Sequence, residues 1–124
     1  MQGLHLTADL RGCDPHQPLM TQPAALRETC TQAVAASGLG AVAELFHRFT
    51  PAVEGEASGI TGVVLLAESH LAIHTWPELG GVTLDVYVCN YGADNSAKAR
   101  RLMDALVAAF APAEALQQAL HRGA

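Results

Sequence analysis

The amino-acid sequence predicts an α+β fold, a two-layer sandwich in which an antiparallel sheet carries helices packed on one face. Three observations lead there. Several segments alternate apolar and polar residues with a period of two, the mark of half-buried strands. Two others repeat apolar residues every three or four positions, the mark of helices lying on a core. The order is strand, helix, several strands, helix, within 124 residues, the length of one ordinary domain. Residues 1–124 are therefore expected to form a single domain.

The first strand runs from Leu4 to Leu10, with Leu4, Leu6, Ala8 and Leu10 on one side and His5, Thr7 and Asp9 on the other. Arg11 to Gln22 holds Gly12, Pro15 and Pro18 and reads as a loop. Pro23 suits a first helical turn, with Thr21 or Gln22 at the cap. Leu26, Cys30 and Val34 then recur at helical spacing until Gly38 ends the helix. Ala41 to Phe49 is a second strand, followed by an exposed turn over Val53 to Gly59. Three more strands follow: Ile60 to Ala67, His70 to Trp76 and Val82 to Cys89. In the last, Val82, Leu84, Val86 and Val88 share one face, while Thr83, Asp85, Tyr87 and Cys89 share the other. After a turn over Asn90 to Asn95, Asp94 or Asn95 caps a helix whose apolar stripe is Leu102, Met103, Leu106, Val107 and Phe110. Pro112 ends that helix, and the tail to Ala124 is expected to be a short helix or a frayed end.

Composition excludes several function classes. Half the residues are hydrophobic and 15% are charged, enough apolar sequence for one core and too little charge for a disordered segment. The net charge is −5 with seven scattered basic residues, which argues against a nucleic-acid face. No apolar run reaches the roughly 18 residues of a membrane span, and Met1 to Gly12 lacks the pattern of a signal peptide. Cys13, Cys30 and Cys89 are an odd set without CxxC spacing, which fits free thiols in a reducing cytoplasm. Lys98 is the only lysine, so chemistry that needs a lysine-bound cofactor has a single candidate.

Residues 67–78, AESHLAIHTWPE, crowd two histidines, two carboxylates, a serine and the only tryptophan into twelve positions. The plain reading is a solvated strand edge. His70 and His74 share a face and, with Glu78 or Cys89, suggest zinc, but neither HExxH nor CxxC is present, so no metal is expected. Ser69 with a histidine and an acid suggests a hydrolase nucleophile, but the GxSxG elbow is missing.

Residues 62–78, GVVLLAESHLAIHTWPE, closely resemble the self-cleavage segment of the bacterial S-adenosylmethionine decarboxylase proenzymes, the small pyruvoyl-dependent type. HLTADLRGCD (5–14), FHRF (46–49) and LDVYVC (84–89) lie in matching order, so the resemblance covers most of residues 4–90 and weakens after Asn90. It implies that the chain breaks between Glu68 and Ser69: the serine hydroxyl attacks the preceding carbonyl, the resulting ester eliminates, and Ser69 becomes a covalent pyruvoyl cofactor that condenses with the substrate amine. This fits the scarcity of lysine. By position, His74 matches the histidine that removes the Cα proton of the esterified serine. Cys89 matches the cysteine that returns a proton to the substrate carbon, and alternation independently puts it on the polar face of its strand. Thr61 stands where many members have serine and keeps a hydroxyl to support processing. Phe49 and Trp76 match aromatic positions that sandwich an adenine, and Glu78 the acid that holds the ribose.

The resemblance thus implies decarboxylation of S-adenosylmethionine, giving the aminopropyl donor for spermidine synthesis. Two alternatives stay open: the same chemistry on L-arginine or L-ornithine, and an unprocessed, non-catalytic partner subunit. A sheet covered on one face needs a partner for the other, so a homodimer of cleaved protomers is expected, with sites at the subunit interface as in the family.

Overall fold

In a computed structural model, residues 1–123 are described, and they form a six-stranded sheet with three α-helices. The strands are β1 (Gln2–Arg11), β2 (Ala41–Arg48), β3 (Ile60–Leu66), β4 (Ser69–Trp76), β5 (Gly81–Cys89) and β6 (Glu114–Gly123). The helices are α1 (Pro18–Thr21), α2 (Pro23–Ser37) and α3 (Ser96–Phe110), and a short 3₁₀ turn covers Pro77–Leu79. The sheet order is β2-β3-β4-β5-β1-β6, antiparallel throughout.

Alternation decides which face is covered. Leu4, Leu6, Ala8 and Leu10 of β1 join Val82, Leu84, Val86 and Val88 of β5 and Leu71 and Ile73 of β4 in one buried cluster. The helices close it with Leu26, Cys30 and Val34 from α2, and Leu102, Met103, Leu106 and Phe110 from α3. All helical residues in the cluster lie on this one side of the sheet, as the sequence predicts. Burial of this kind contributes about 1.5–3 kcal/mol per large side chain and fixes the strand register, because a one-residue slip would turn every apolar side chain outward.

The punctuation follows local chemistry. Pro23 opens α2 from an N-cap at Gln22, and Gly38, at φ +94°, closes it in the left-handed conformation glycine adopts without strain. Asn95 is the N-cap residue of α3, while the Asp94 carboxylate takes the capping bond from the Ser96 amide at 2.9 Å. The segment read as a loop from Arg11 to Gln22 contains the extra turn α1, which buries Met20.

The tail is a correction. Residues expected to be helical or frayed form β6, a strand paired along its length with β1, from Gln2↔Gly123 to Arg11↔Glu114. Its composition, rich in Ala, Leu and Gln, favours helix, but the free edge of β1 satisfies its backbone groups instead. Ala124 lies outside the described residues.

The opposite face of the sheet is open. Across its middle run His70 and His74 of β4, Thr83, Asp85 and Tyr87 of β5, and His5, Thr7 and Asp9 of β1.

Candidate active site

β3 and β4 are joined by the two-residue turn Ala67-Glu68, with Leu66↔Ser69 the last register pair. Glu68 sits there at φ +55°, a left-handed conformation that costs a side-chain-bearing residue about 1–2 kcal/mol. Ser69, the next residue, accepts a hydrogen bond on Oγ from the Cys89 amide at 3.0 Å. The Cys89 carbonyl in turn accepts from Asn95 Nδ2 at 2.9 Å, and the Asn95 amide donates to Asn90 Oδ1 at 2.8 Å. Cys89 is thus held at both backbone groups, on the polar face of β5 where alternation puts it. A strained peptide and a hydroxyl beside it thus lie at one end of β4, held by the backbone of the partly exposed Cys89 on the neighbouring strand.

The other end of β4 opens on a cavity of about 380 Å³, lined among others by Phe49, Glu56, Thr61, His74, Trp76 and Glu78. Thr61 and His74 are direct register partners across β3 and β4, and Thr61 Oγ1 lies 3.0 Å from His74 Nδ1. The His74 and Trp76 rings lie 5.8 Å apart, tilted by 38°. Phe49 sits just past β2, clipped at both backbone groups: its amide donates to the Gly59 carbonyl at 3.1 Å, and its carbonyl accepts from Ser58 Oγ. The His47 ring packs edge-on against Phe49 at 4.8 Å. Phe49 and Trp76 stay 51% and 37% exposed, open to a ligand rather than buried as filler. Glu78, in the 3₁₀ turn, brings a carboxylate to the rim.

The two ends stay apart within one chain. Five residues of strand separate Ser69 from His74, about 17 Å, and the odd spacing sends their side chains to opposite faces. His70 and His74 share a face but lie about 14 Å apart along the strand, too far for one metal ion. Among the described residues, no group of three or more His, Cys, Asp or Glu could hold a metal.

Three supporting residues escape sequence reasoning. Thr75 is buried; its hydroxyl donates to the Met20 carbonyl at 2.8 Å and accepts from the Ile60 amide at 2.9 Å, tying α1, β3 and β4 together beneath the cavity. Gly59 packs so close to Thr75 that a Cβ would lie 1.9 Å from its carbonyl oxygen. Glu56, on the exposed 53–59 turn, adds a second carboxylate to the cavity. Thr75 and Gly59 act through partners distant in sequence, and Glu56 reaches the cavity only through the fold, so no local pattern marks them.

The model of the S-adenosylmethionine decarboxylase family matches residues 4–123. The chain belongs to the S-adenosylmethionine decarboxylase family. The family, one of carboxy-lyases, is matched through β6, so the likeness extends beyond Asn90. Similar relatives are the S-adenosylmethionine decarboxylase proenzymes of Aquifex aeolicus (strain VF5), 39% identical, and Hydrogenobaculum sp. (strain Y04AAS1), 36% identical, each over 98% of this chain and 81% of the relative. That of Pyrococcus furiosus is 32% identical over 95% of this chain and 79% of the relative. The crystal structure of adenosylmethionine decarboxylase from Aquifex aeolicus superposes with a TM-score of 0.84 at 38% identity, covering 98% of this chain and 91% of that one.

Proposed function

We propose that this protein is a proenzyme that cleaves itself between Glu68 and Ser69 and then decarboxylates S-adenosylmethionine through a pyruvoyl group derived from Ser69, supplying the aminopropyl donor for spermidine synthesis. The observation that carries this reading is the strained Glu68 turn with the Ser69 hydroxyl fixed beside it on the Cys89 amide.

Ser69 Oγ bonds to the Glu68 carbonyl carbon as the peptide C–N bond opens, leaving an ester and a free amine on residue 69. A base then takes the Cα proton of residue 69 and the Glu68 carboxylate departs, which splits the chain. Water displaces the nitrogen as ammonia, leaving a ketone. That ketone supplies the electron sink that loss of CO2 from an amino acid requires. His74 is the base: with Nδ1–H donating to Thr61 Oγ1, Nε2 carries the free lone pair. Cys89 holds the proton returned to the substrate carbon. Phe49 and Trp76 flank the adenine and Glu78 accepts from the ribose hydroxyls, in a cavity of a size suited to a small ligand.

Since Ser69 and His74 of one chain do not meet, the working unit is a homodimer. A two-fold axis over the open face sets the cleavage end of one protomer against the cavity end of its partner, and residue 69, freed from its turn by cleavage, can move toward it. The three free cysteines fit a cytoplasmic setting.

The test is the intact mass under denaturing conditions, with CO2 release assayed in parallel. Fragments 1–68 and 69–124 are expected, the second lighter by one ammonia than a serine-ended peptide, and Ser69→Ala should stay whole. A chain that stays whole, with no CO2 from S-adenosylmethionine, leaves the non-catalytic partner reading instead. Release of CO2 from L-arginine or L-ornithine alone would transfer the chemistry to a cationic substrate, with Glu78 as its anchor.

A further inference from the structure

The two edges of the sheet are built differently. β2 is interrupted by a bulge between Ala41 and Ala43, a feature that discourages pairing with another strand. β6 has no bulge and no proline, keeps an unbroken register with β1 over ten residues, and is exposed throughout. An edge of that length presents a row of backbone groups ready for another strand.

Its side chains indicate which strand. On the open-face side β6 carries Glu114, Leu116, Gln118, Leu120 and Arg122, opposite Arg11, Asp9, Thr7, His5 and Gly3 of β1. Read backwards, the series is Arg, Leu, Gln, Leu, Glu: basic for acidic, leucine for leucine, glutamine on itself. An antiparallel second copy centred on Gln118 therefore sets Glu114 against the second copy's Arg122, Leu116 against its Leu120, and Gln118 against its own equivalent, each unlike pair occurring twice by symmetry. On the other side Ala115 meets His121 and Gln117 meets Ala119, with no like charges opposed. Shifting the axis to Gln117 sets Glu114 on Leu120, and shifting it to Ala119 sets Leu116 on Arg122, so the complementarity selects one register. Leu116 and Leu120, each 59% exposed, gain the cover they lack. The Arg122 guanidinium, 5.1 Å from the Tyr87 ring centre in the single chain, exchanges an exposed cation–π contact for a carboxylate.

We propose that β6 pairs with β6 of a second copy of this chain across a two-fold axis at Gln118, joining two six-stranded sheets edge to edge. The contact is separate from packing over the open face. The edge alone makes a two-copy assembly, and the two contacts together close at four copies where their two-fold axes cross at right angles.

Register is what the test reads. In this pairing the Cβ atoms at position 118 lie about 4.5–5.5 Å apart, close enough for a disulfide after small adjustment. Position 116 lies about 14 Å from its own equivalent. Mild oxidation of Gln118→Cys should give a covalent dimer of the β6-bearing chain on a non-reducing gel, while Leu116→Cys and the native protein should not. Absence of that dimer, or equal linking by Leu116→Cys, overturns the pairing. Charge exchange provides a second measurement: Glu114→Arg and Arg122→Glu should each lower the assembled mass in solution, and the double exchange E114R/R122E should restore it. Singles without effect, or a double that does not recover, also overturn the pairing. Cleavage at residue 69 and CO2 release are read separately on the same samples, so failure of the edge contact and failure of the proposed chemistry are distinguishable.

Discussion

A single backbone angle bears most directly on the chemistry. Glu68 at φ +55° keeps its carbonyl in a conformation that glycine would adopt without penalty. If formation of the ester relieves that strain, removing it in advance slows the reaction. Glu68→Gly is therefore expected to self-cleave about fivefold more slowly than Glu68→Ala, since about 1 kcal/mol of ground-state strain corresponds to a factor of that order. The alanine variant separates strain from loss of the carboxylate, and the fragment ratio against time measures both. Equal rates, or a faster glycine variant, would assign the strain no role. Thr61 gives a second residue-scale expectation. Thr61→Ser keeps the hydroxyl at His74 Nδ1 and should process normally, whereas Thr61→Val should process more slowly and with an altered pH profile, because the His74 tautomer loses its partner. The side chains of this site are legible in the sequence, because the 62–78 motif holds most of them in one stretch and the strand alternation orients Cys89. The strain at Glu68 is not legible, since a glutamate carries no signal of left-handed backbone. Nor are Asn95, Ser58 and Thr75, whose bonds reach across 6, 9 and 15 or more residues.

At the scale of elements, one buried hydroxyl joins three of them. Thr75→Val removes the only side-chain partner seen among the described residues for the Ile60 amide and the Met20 carbonyl and leaves both buried, so a loss of about 2 kcal/mol or more is expected in chemical denaturation. Thr75→Ser should retain most of the stability, and a valine variant as stable as the native protein would show that water replaces the bonds. Helix α3 carries a pH-dependent cap. Hydrogen bonds from the Ser96 amide, and then from its hydroxyl, hold the Asp94 carboxyl below its ordinary value. A carboxyl whose folded value is lowered stabilises the fold at neutral pH and loses that contribution as the pH falls through the folded value. The melting temperatures of the native protein and of Asp94→Ala should thus differ at pH 7 and converge in acid, below the usual carboxylate range; a constant gap would mean that the charge contributes nothing. Five of the six strands and both long helices are readable from period and caps. β6 is not, because its helix-favouring residues are overruled by a distant partner, the free edge of β1, and no local pattern records that.

The whole molecule decides where the reaction can occur. With Ser69 and His74 about 17 Å apart on one strand, a proton cannot pass between them in a single chain, and the fold offers no hinge that would shorten a continuous strand. Two chains packed over the open face remove the difficulty, because a two-fold axis sets unlike ends of the sheet together. Complementation between two inactive chains follows. A Ser69→Ala chain has no nucleophile but keeps His74, and a His74→Ala chain keeps Ser69 but lacks the base. Each alone should stay whole. Co-expressed, they should pair in part as mixed dimers, where the proposed packing brings the histidine of the first chain to the cleavage end of the second, and only the His74→Ala chain should split. At equal expression and random pairing, about half of the dimers are mixed and each holds one competent serine, so about half of the His74→Ala chains should be cut. Distinct tags and intact masses identify which chain was cleaved. Cleavage of the His74→Ala chain on its own would show that His74 is dispensable. If neither chain splits in the mixture, Ser69 and His74 must act from the same chain, and the strand between them would have to unfold for processing to occur.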